Sequence, residues 1–528
     1  MINLCECKVY DYIVVGGGTT ANVVAGRLSA DKKVDVLMLE RGQDVSANPT
    51  VKVDTINSVV PPVDVTALPT EYFYTKELGL AAQTSKLVVP FALGGGPAVS
   101  GSFWGRGDPK NYNEWAQLVG DNRLTYANLL PFFKKTENVL LSQSNSVDRG
   151  RTGPIQVSIL DHTDANVTPY VNLMTNVFNV TYGLDYSTSN GTTGLWPMQR
   201  SLVREPICNV TSGPCTRSTS YTGYVKPNLG SKNLDVISGA TVLKLIFGYQ
   251  NSQFVVKGVK YLLDNKVHTA KARHEVILSA GTINSAKILM LSGIGNSSKL
   301  ADLDIDSIMD LPGVGKNIRD HTVINFVYFL PTAPAITVPS SVNIGFFKSP
   351  SNTENMVDIE IPWGLLPSPF GFGVLLVGFV VQVRNANIGE MSLRSKNPFE
   401  KIDISFNFDV NNLDPMLWGI RKVREWTGQI ANSVEIIPGP NNLPLNPTDD
   451  QIKTFLKNTV SGWYHLAGSC KMGQLNDLYS VVDSNFRVKN ISGLRVADNS
   501  IQPVVVSSHP SATATMLGEL VVDRILNS

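Results

Sequence analysis

The 528-residue chain carries six histidines, and two of them stand in settings suited to chemistry. His465 lies in GWYHLAGSCKMG and His509 in SSHPSATATMLGE. Each sits beside a glycine- or serine-rich turn rather than inside an apolar periodic run. Imidazole titrates close to neutral pH, so either residue is suited to take a proton from a substrate. Pro510 follows His509, and proline is favoured at the first position of a helix, so His509 stands at the mouth of a helix expected over Pro510–Ile525. That helix N-terminus favours negative charge placed against it. His162, His268, His274 and His321 have no evident partner, and Asp483 and Asp498 read as turn caps at strand edges. The chain has no Gly-x-Ser-x-Gly elbow and no phosphate-binding Gly-Lys-Ser/Thr loop. Its cysteines (Cys5, Cys7, Cys208, Cys215 and Cys470) lack the spacing and partners of a zinc site, so no metal centre is expected. Cys208 and Cys215 flank a Gly-Pro loop and are either a small disulfide or two free thiols.

A histidine pair needs a scaffold and something to act on, and the start of the chain supplies both. DYIVVGGGTTANVVAGRLSADKKVDVLMLERG, Asp11–Gly42, reads as strand, glycine turn, helix and strand. Its spacing Gly16-x-Gly18-x-x-Ala21 fits a dinucleotide-binding βαβ unit. The first glycine permits the tight turn, the second lets backbone approach a pyrophosphate, and the third site needs only a small residue. The helix start offers free N–H groups to phosphate, and Glu40 stands where a carboxylate accepts ribose hydroxyls. The unit alone fits FAD or NAD(P). A reduced flavin is an anion spread over its pyrimidine ring, and imidazoles beside a helix N-terminus are sensible chemistry for holding it.

With 43% apolar and 17% charged residues the composition is globular, and the length favours two domains. A formal charge of +1 makes no electrostatic case for nucleic acid or an anionic membrane. The longest apolar stretch, near Gly371–Val383, contains glycine and is too short to span a bilayer. The first strand follows Met1 within ten residues, so no secretory segment is visible, yet glycosylation acceptors occur at Asn166, Asn179, Asn190, Asn209, Asn296 and Asn490. The expectation is a secreted glycoprotein whose signal was cleaved or omitted.

Gln43–Val89, rich in proline and threonine, is expected to be irregular. Leu93–Gly107, LGGGPAVSGSFWGRG, reads as a ligand-facing loop. A helical region follows with Trp115, Leu129, Phe132 and Phe133 on its buried face. Leu234–Phe247 and Phe254–Leu263 read as paired strands turning near Gly248. Glu275–Gly295 returns to strand, turn and helix, which belongs with the opening fold. Ile324–Pro447 is strand-rich, with a helix over Asp414–Ile430, and Leu494–Ala497 is a late strand.

These segments together resemble the glucose–methanol–choline oxidoreductases, and the resemblance covers nearly the full chain. The opening unit is similar to that family's FAD fingerprint, and Gly94-Gly95 through Arg106-Gly107 with DPKNYNEWA to its first signature. GTINSAKILMLSGIG is similar to its second signature, DLPGVGKNIRDH to a family connection, and YHLAGSCKMG and GLRVADNSIQP…SSHPSATATMLGE to its C-terminal catalytic segment. The resemblance implies an α/β fold: a discontinuous Rossmann-like FAD-binding domain and an α+β substrate domain on an antiparallel sheet. The expected division is 1–155, 230–310 and 455–528 for FAD, and 156–229 and 311–454 for substrate. It implies that His465 is the catalytic base and His509 its partner. It also implies that FAD is held by Gly16, Gly18, Thr19, Thr20, Ala21, Glu40, Ala92, Ser100, Gly101, Ser102, Phe103, Val242, Tyr464, Asp498, Asn499 and Pro510. Ser100 stands where the family often has asparagine, which removes an amide near the flavin. Val99 stands where members with covalent flavin carry histidine, so the FAD is expected to be non-covalent.

The implied reaction is oxidation of a CH–OH group to a carbonyl, with hydride passing to flavin N5 and electrons then to O2 or another acceptor. The expected substrate is a small primary alcohol of aryl or apolar character, because Trp363, Phe370 and Phe372 in IPWGLLPSPFGFGVLLVGF are candidates to line the pocket. The same run also reads as plain domain core. A hydroxynitrile lyase, which would keep FAD and both histidines without redox turnover, is the alternative activity.

Overall fold

The computed structural model describes residues 8–48, 53–54, 70–78, 84–140, 144–159, 165–189, 193–203, 215–250, 253–337, 340, 342–384, 388–407 and 412–527. The elements that position the site are, in chain order, β1 (Val9–Val15), α1 (Thr19–Leu28), β2 (Val36–Glu40), β3 (Gly194–Pro197), β4 (Leu234–Ser238), β5 (Thr241–Gln250), β6 (Gln253–Leu263), β7 (Lys266–Leu278), α2 (Gly281–Leu291), β8 (Thr322–Leu330), β9 (Asn343–Phe347), β10 (Ile359–Pro367), β11 (Val374–Gln382), α3 (Asp414–Thr427), β12 (Val434–Ile437), β13 (Ser461–Gly462), β14 (Leu494–Val496) and α4 (Ser511–Leu526).

The first sheet has seven strands in the order β4-β2-β1-β7-β6-β5, with β14 also paired to β7. β4, β2, β1, β7 and β14 run parallel. All five residues of β2 are buried, as expected of a strand covered on both faces. α1 lies on this sheet and packs against α4. Thr20 Oγ1 donates to the Ala514 carbonyl (2.8 Å) and Arg27 pairs with Glu519 (2.7 Å), so the helices run in the same direction. Gly518 lets them close: a Cβ there would meet Val23 Cβ at 2.5 Å. The N-termini of α1 and α4 therefore open on one side of the molecule.

The second sheet, antiparallel, runs β12-β8-β11-β10-β9-β3 with β13 on β8. Its register sorts side chains by face. Glu360 is opposite Val381, Val323 is opposite Val381, and Val323 is opposite Ser461. Alternation then puts Glu360, Phe379, Val323 and the segments flanking β8 and β13 on one face. Trp363, opposite Gly378, falls on the other, where it packs on Trp426 of α3 with ring centroids 4.9 Å apart.

Several expectations change. Thr70–Leu78 and Thr84–Pro90 form an antiparallel pair at the C-terminal end of the stretch expected to be irregular, where EYFYT supplies the aromatic and β-branched residues that favour strands. Gly248 lies within β5 opposite Val255, so it is not the turn. β13, within the stretch 455–528, pairs with the second sheet. Phe132 is only partly buried, while Trp115, Leu129 and Phe133 are buried. Cys5, Cys7 and Cys208 lie outside the described residues, as does the side chain of Cys215. Cys470 is buried and unbridged. No helix among the described residues is long and apolar enough to cross a membrane.

Candidate active site

The turns after β1, β7 and β14 meet at one edge of the first sheet. Ser279 N–H donates to the Val15 carbonyl (2.8 Å), Ser279 Oγ to the Ala497 carbonyl (2.6 Å), and Gly281 N–H to Asp498 Oδ2 (2.9 Å). Gly16 sits at φ +109°, and a Cβ there would meet the Ser279 carbonyl oxygen at 2.4 Å. Gly18 opens α1 with no side-chain cap and no acid in the first turn, so side chains leave the helix N–H groups unclaimed. Glu40 is buried, and its carboxylate accepts from Gly17 N–H (2.5 Å) and Gly42 N–H (2.6 Å). Burial raises its pKa, and those two bonds oppose the rise. Ala240 N–H bonds the Glu40 carbonyl (2.8 Å), which brings the start of β5 and Val242 alongside.

The glycine loop joins this edge. Gly94 N–H donates to the Gly17 carbonyl (2.8 Å), and a Cβ on Gly95 would meet Gly18 Cα at 2.9 Å. Ala92 is buried beside it with Val45, Ala98 and Val99. Sequence reasoning missed the clamp on the loop. Arg200 Nε donates to the Gly101 carbonyl (2.7 Å), and Arg217 holds Ser102 Oγ (2.7 Å) and the Ser100 carbonyl. Nothing in their sequence setting marks either arginine. Phe103 leaves the clamped loop to pack edge-on against His509, centroids 4.4 Å apart.

His465 and His509 come together as expected, edge-on, with ring centroids 4.5 Å apart. His509 precedes α4, whose start likewise carries no side-chain cap and no acid. His465 sits in a bulge. β8 and β13 pair Thr322 with Gly462, and Trp463 N–H bonds the His321 carbonyl (3.0 Å). The next closed pair is Arg319 with Ala467, so Tyr464, His465 and Leu466 bow out opposite Asp320 alone. The Asp320 carboxylate fills the bow. Its Oδ1 accepts from His465 N–H (2.7 Å) and His321 N–H (2.8 Å), its Oδ2 from Tyr464 N–H (3.1 Å). Burial pushes its pKa up to about 7 while those N–H groups pull it down. Tyr464 takes φ +62°, and its ring is exposed.

Each imidazole has its own buried partner. His509 Nε2 lies 2.7 Å from Glu360 Oε1 on β10. His465 Nδ1 lies 2.8 Å from His321 Nδ1. Burial first, then His509 and His321, lowers the pKa of His465 well below that of a free imidazole. Burial and His509 hold His321 down at about 3. Sequence reasoning missed Asp320, His321 and Glu360. One signal was available for Glu360, the only ionisable side chain between Asp358 and Arg384.

The remaining expected residues fall nearby in differing ways. Both Asp498 oxygens are engaged by the protein, with Gly281 N–H, Ser285 Oγ and Ser500 N–H. Asn499 accepts Gly468 N–H through its carbonyl (3.1 Å), which stitches the His465 segment to this edge. The aromatic expectation is corrected: Trp363 is core, and Phe370 and Phe372 are exposed beyond β10, packed on Phe329. The rings at the histidines are Phe103 and Trp463, with Phe379 packed at a tilt against Trp463, ring centroids 4.7 Å apart.

The chain matches known proteins along its whole length. An oxygen-dependent choline dehydrogenase of Acinetobacter baumannii is 29% identical over 565 aligned residues, covering 98% of this chain and 96% of that protein. The Brucella anthropi protein of the same name is 29% identical, with 98% and 95% covered. Pyridoxine 4-oxidase from Mesorbium loti has the same fold with a TM-score of 0.84 at 20% identity, covering 98% of this chain and 99% of that one. A fungal aryl-alcohol oxidase superposes with a TM-score of 0.81 at 20% identity and 99% coverage of both chains. The GMC oxidoreductase N- and C-terminal family models match residues 10–323 and 385–518. With more than half of its length matched, and with a dinucleotide edge facing a paired-histidine site, this chain belongs to the GMC oxidoreductases, FAD-binding enzymes that oxidise alcohols.

Proposed function

We propose that the enzyme oxidises the CH–OH group of a primary alcohol to a carbonyl, with His465 as the general base. The observation that carries this reading is the edge-on pairing of His465 and His509, one held by a neutral ring and the other by a carboxylate. Nδ1 of His465 is engaged, and its Nε2 makes no hydrogen bond among the described residues. That nitrogen takes the hydroxyl proton. Glu360 fixes Nε2 of His509, which leaves Nδ1 to orient the hydroxyl and steady developing charge. Bound FAD supplies the hydride acceptor. The N-terminus of α1 and Glu40 suit its adenosine diphosphate end, and the clamped loop at Ser100–Phe103 with the start of α4 suits its ring. Val99, buried among Val45, Ala92 and Ala98, offers no nucleophile, which favours a non-covalent cofactor.

Phe103 and Trp463 beside the histidines favour an aryl or apolar alcohol. A second reading is a quaternary-ammonium alcohol. It draws on the relatives named choline dehydrogenase and on Glu360 Oε2, which is buried without a hydrogen bond. Anaerobic mixing of the holoenzyme with benzyl alcohol, choline and glucose tests both. Bleaching of the visible flavin band by benzyl alcohol first is expected, choline first would favour the second reading, and no bleaching by any would sink the oxidation. A flavin that stays oxidised while a cyanohydrin is cleaved would restore the lyase.

We also propose that the protein is secreted and glycosylated. Asn166, Asn179 and Asn490 are exposed, whereas Asn296 is half-buried and caps a short helix through Lys299 N–H (3.0 Å). Peptide N-glycosidase treatment of protein from its native host should lower its mass, and an unchanged mass would count against the idea.

A further inference from the structure

We infer that His321 is a positioning residue that fixes the tautomer of His465, keeping the lone pair on Nε2. The inference rests on the reading of His465 as base. The two Nδ1 atoms are 2.8 Å apart, so one must carry hydrogen and the other a lone pair. Only two arrangements of neutral rings satisfy that contact. In the first, His465 donates Nδ1–H, His321 accepts at Nδ1, and His321 carries its hydrogen on Nε2. In the second, His321 donates, His465 carries its hydrogen on Nε2, and that nitrogen cannot accept a proton.

Only the first arrangement leaves a lone pair on Nε2 of His465, the nitrogen that makes no hydrogen bond among the described residues and that the base reading requires. The His321 ring is fully buried and its Nε2 has no hydrogen-bond partner among them, so the ring's hydrogen bond is the one to His465 Nδ1. His321 then accepts at Nδ1, and His465 keeps its lone pair on the side away from His321. A carboxylate in the same place would fix the tautomer too, but as an anion it would draw a proton onto His465 and occupy the base. A neutral partner sets the tautomer and leaves the base empty.

The test uses the holoenzyme with nitrogen-15 histidine, and only six histidines contribute signals. The His465 resonances are identified by their loss in His465→Ala. The expected result is a protonated Nδ1 and an unprotonated Nε2 on His465. The reverse pattern in the wild-type protein overturns the inference before any His321 variant is made. His321→Leu should mix the tautomers and slow anaerobic flavin reduction about 100-fold with KM little changed. His321→Asn, which offers an oxygen near the Nδ1 position, should restore the pattern and most of the rate. A His321→Leu variant that loses rate with the His465 tautomer unchanged also overturns the inference. If the wild-type pattern is as expected but His465→Ala reduces flavin at the parental rate, the tautomer assignment stands and the base reading fails instead.

Discussion

Replacing His465 with alanine is expected to slow flavin reduction by about 10²- to 10⁴-fold while leaving FAD bound, the range that a positioned acid–base group contributes. The size follows from what remains. An alcohol hydroxyl holds its proton far too tightly to ionise at neutral pH, so its proton must leave to a base as hydride leaves carbon. With His465 gone, the nearest imidazole is His509, whose Nε2 is engaged by Glu360 at 2.7 Å. The other, His321, is buried behind the position that His465 occupied. A variant that reduces its flavin within threefold of the parental rate would mean that the base lies elsewhere.

The same residue fixes the expected pH dependence. Burial, His509 and His321 depress the pKa of His465 well below 6.5, so the free base is present throughout the neutral range. A base works unprotonated, so kcat/KM should rise with pH through an ionisation below 6.5, and Asp320, whose carboxylate holds the bulge and whose pKa is pushed up to about 7, should add a second rise before the plateau. His465→Ala should lose the lower of the two. An unfolded chain binds protons at His465 and His321 near pH 6.5 that the folded chain refuses, so the share of stability these two histidines contribute is present above that pH and is lost as pH falls below it, while Asp320, raised from 3.8 to about 7, works in the opposite direction.

The parts of this site legible in the sequence were those written locally. Gly16, Gly18 and Ala21 announce the dinucleotide edge because the turn itself demands small residues at that spacing. His465 and His509 stand out because each interrupts a run of glycine or serine. Asp320 and His321 were hidden because their role exists only after β8 pairs with β13, which joins segments more than a hundred residues apart. Arg200 and Arg217 were hidden for the same reason: they grip a loop about a hundred residues before them through its backbone oxygens. Trp363 misled because an aromatic near a site is legible in sequence, but which face of the strand it takes is a matter of register. One residue separates the face of Glu360 from the face of Trp363 at every step of β10.

Asp320 shows how much the catalytic base depends on such a hidden residue, and its replacement should have the second large effect. Asp320→Ala would strand the N–H groups of His321, Tyr464 and His465 in a buried bulge. At about 1–3 kcal/mol for each unmade buried bond, the sum approaches the entire stability of a typical domain. The bulge would relax toward plain β pairing, or the chain would not accumulate folded. Asp320→Asn is the sharper test because its shape is unchanged. The amide oxygen can keep the bonds to His321 and His465, but its NH2 group then faces the Tyr464 N–H, donor against donor. Tyr464 already sits at φ +62°, a conformation held by its surroundings. The expected result is a folded, FAD-loaded enzyme with a Tm several degrees lower and flavin reduction slowed about 10- to 100-fold, because an ångström of misplacement at a reacting group costs about that much. KM should change little, since Asp320 is buried beneath the backbone and offers no group to substrate. Gly462→Ala approaches the same point from the other strand. Its new Cβ would meet Asp320 Oδ2 at 2.5 Å and push the carboxylate off the N–H groups it binds. If both variants keep the parental rate and Tm, the carboxylate is not what holds His465 out of the sheet, and the left-handed turn at Tyr464 must hold it unaided.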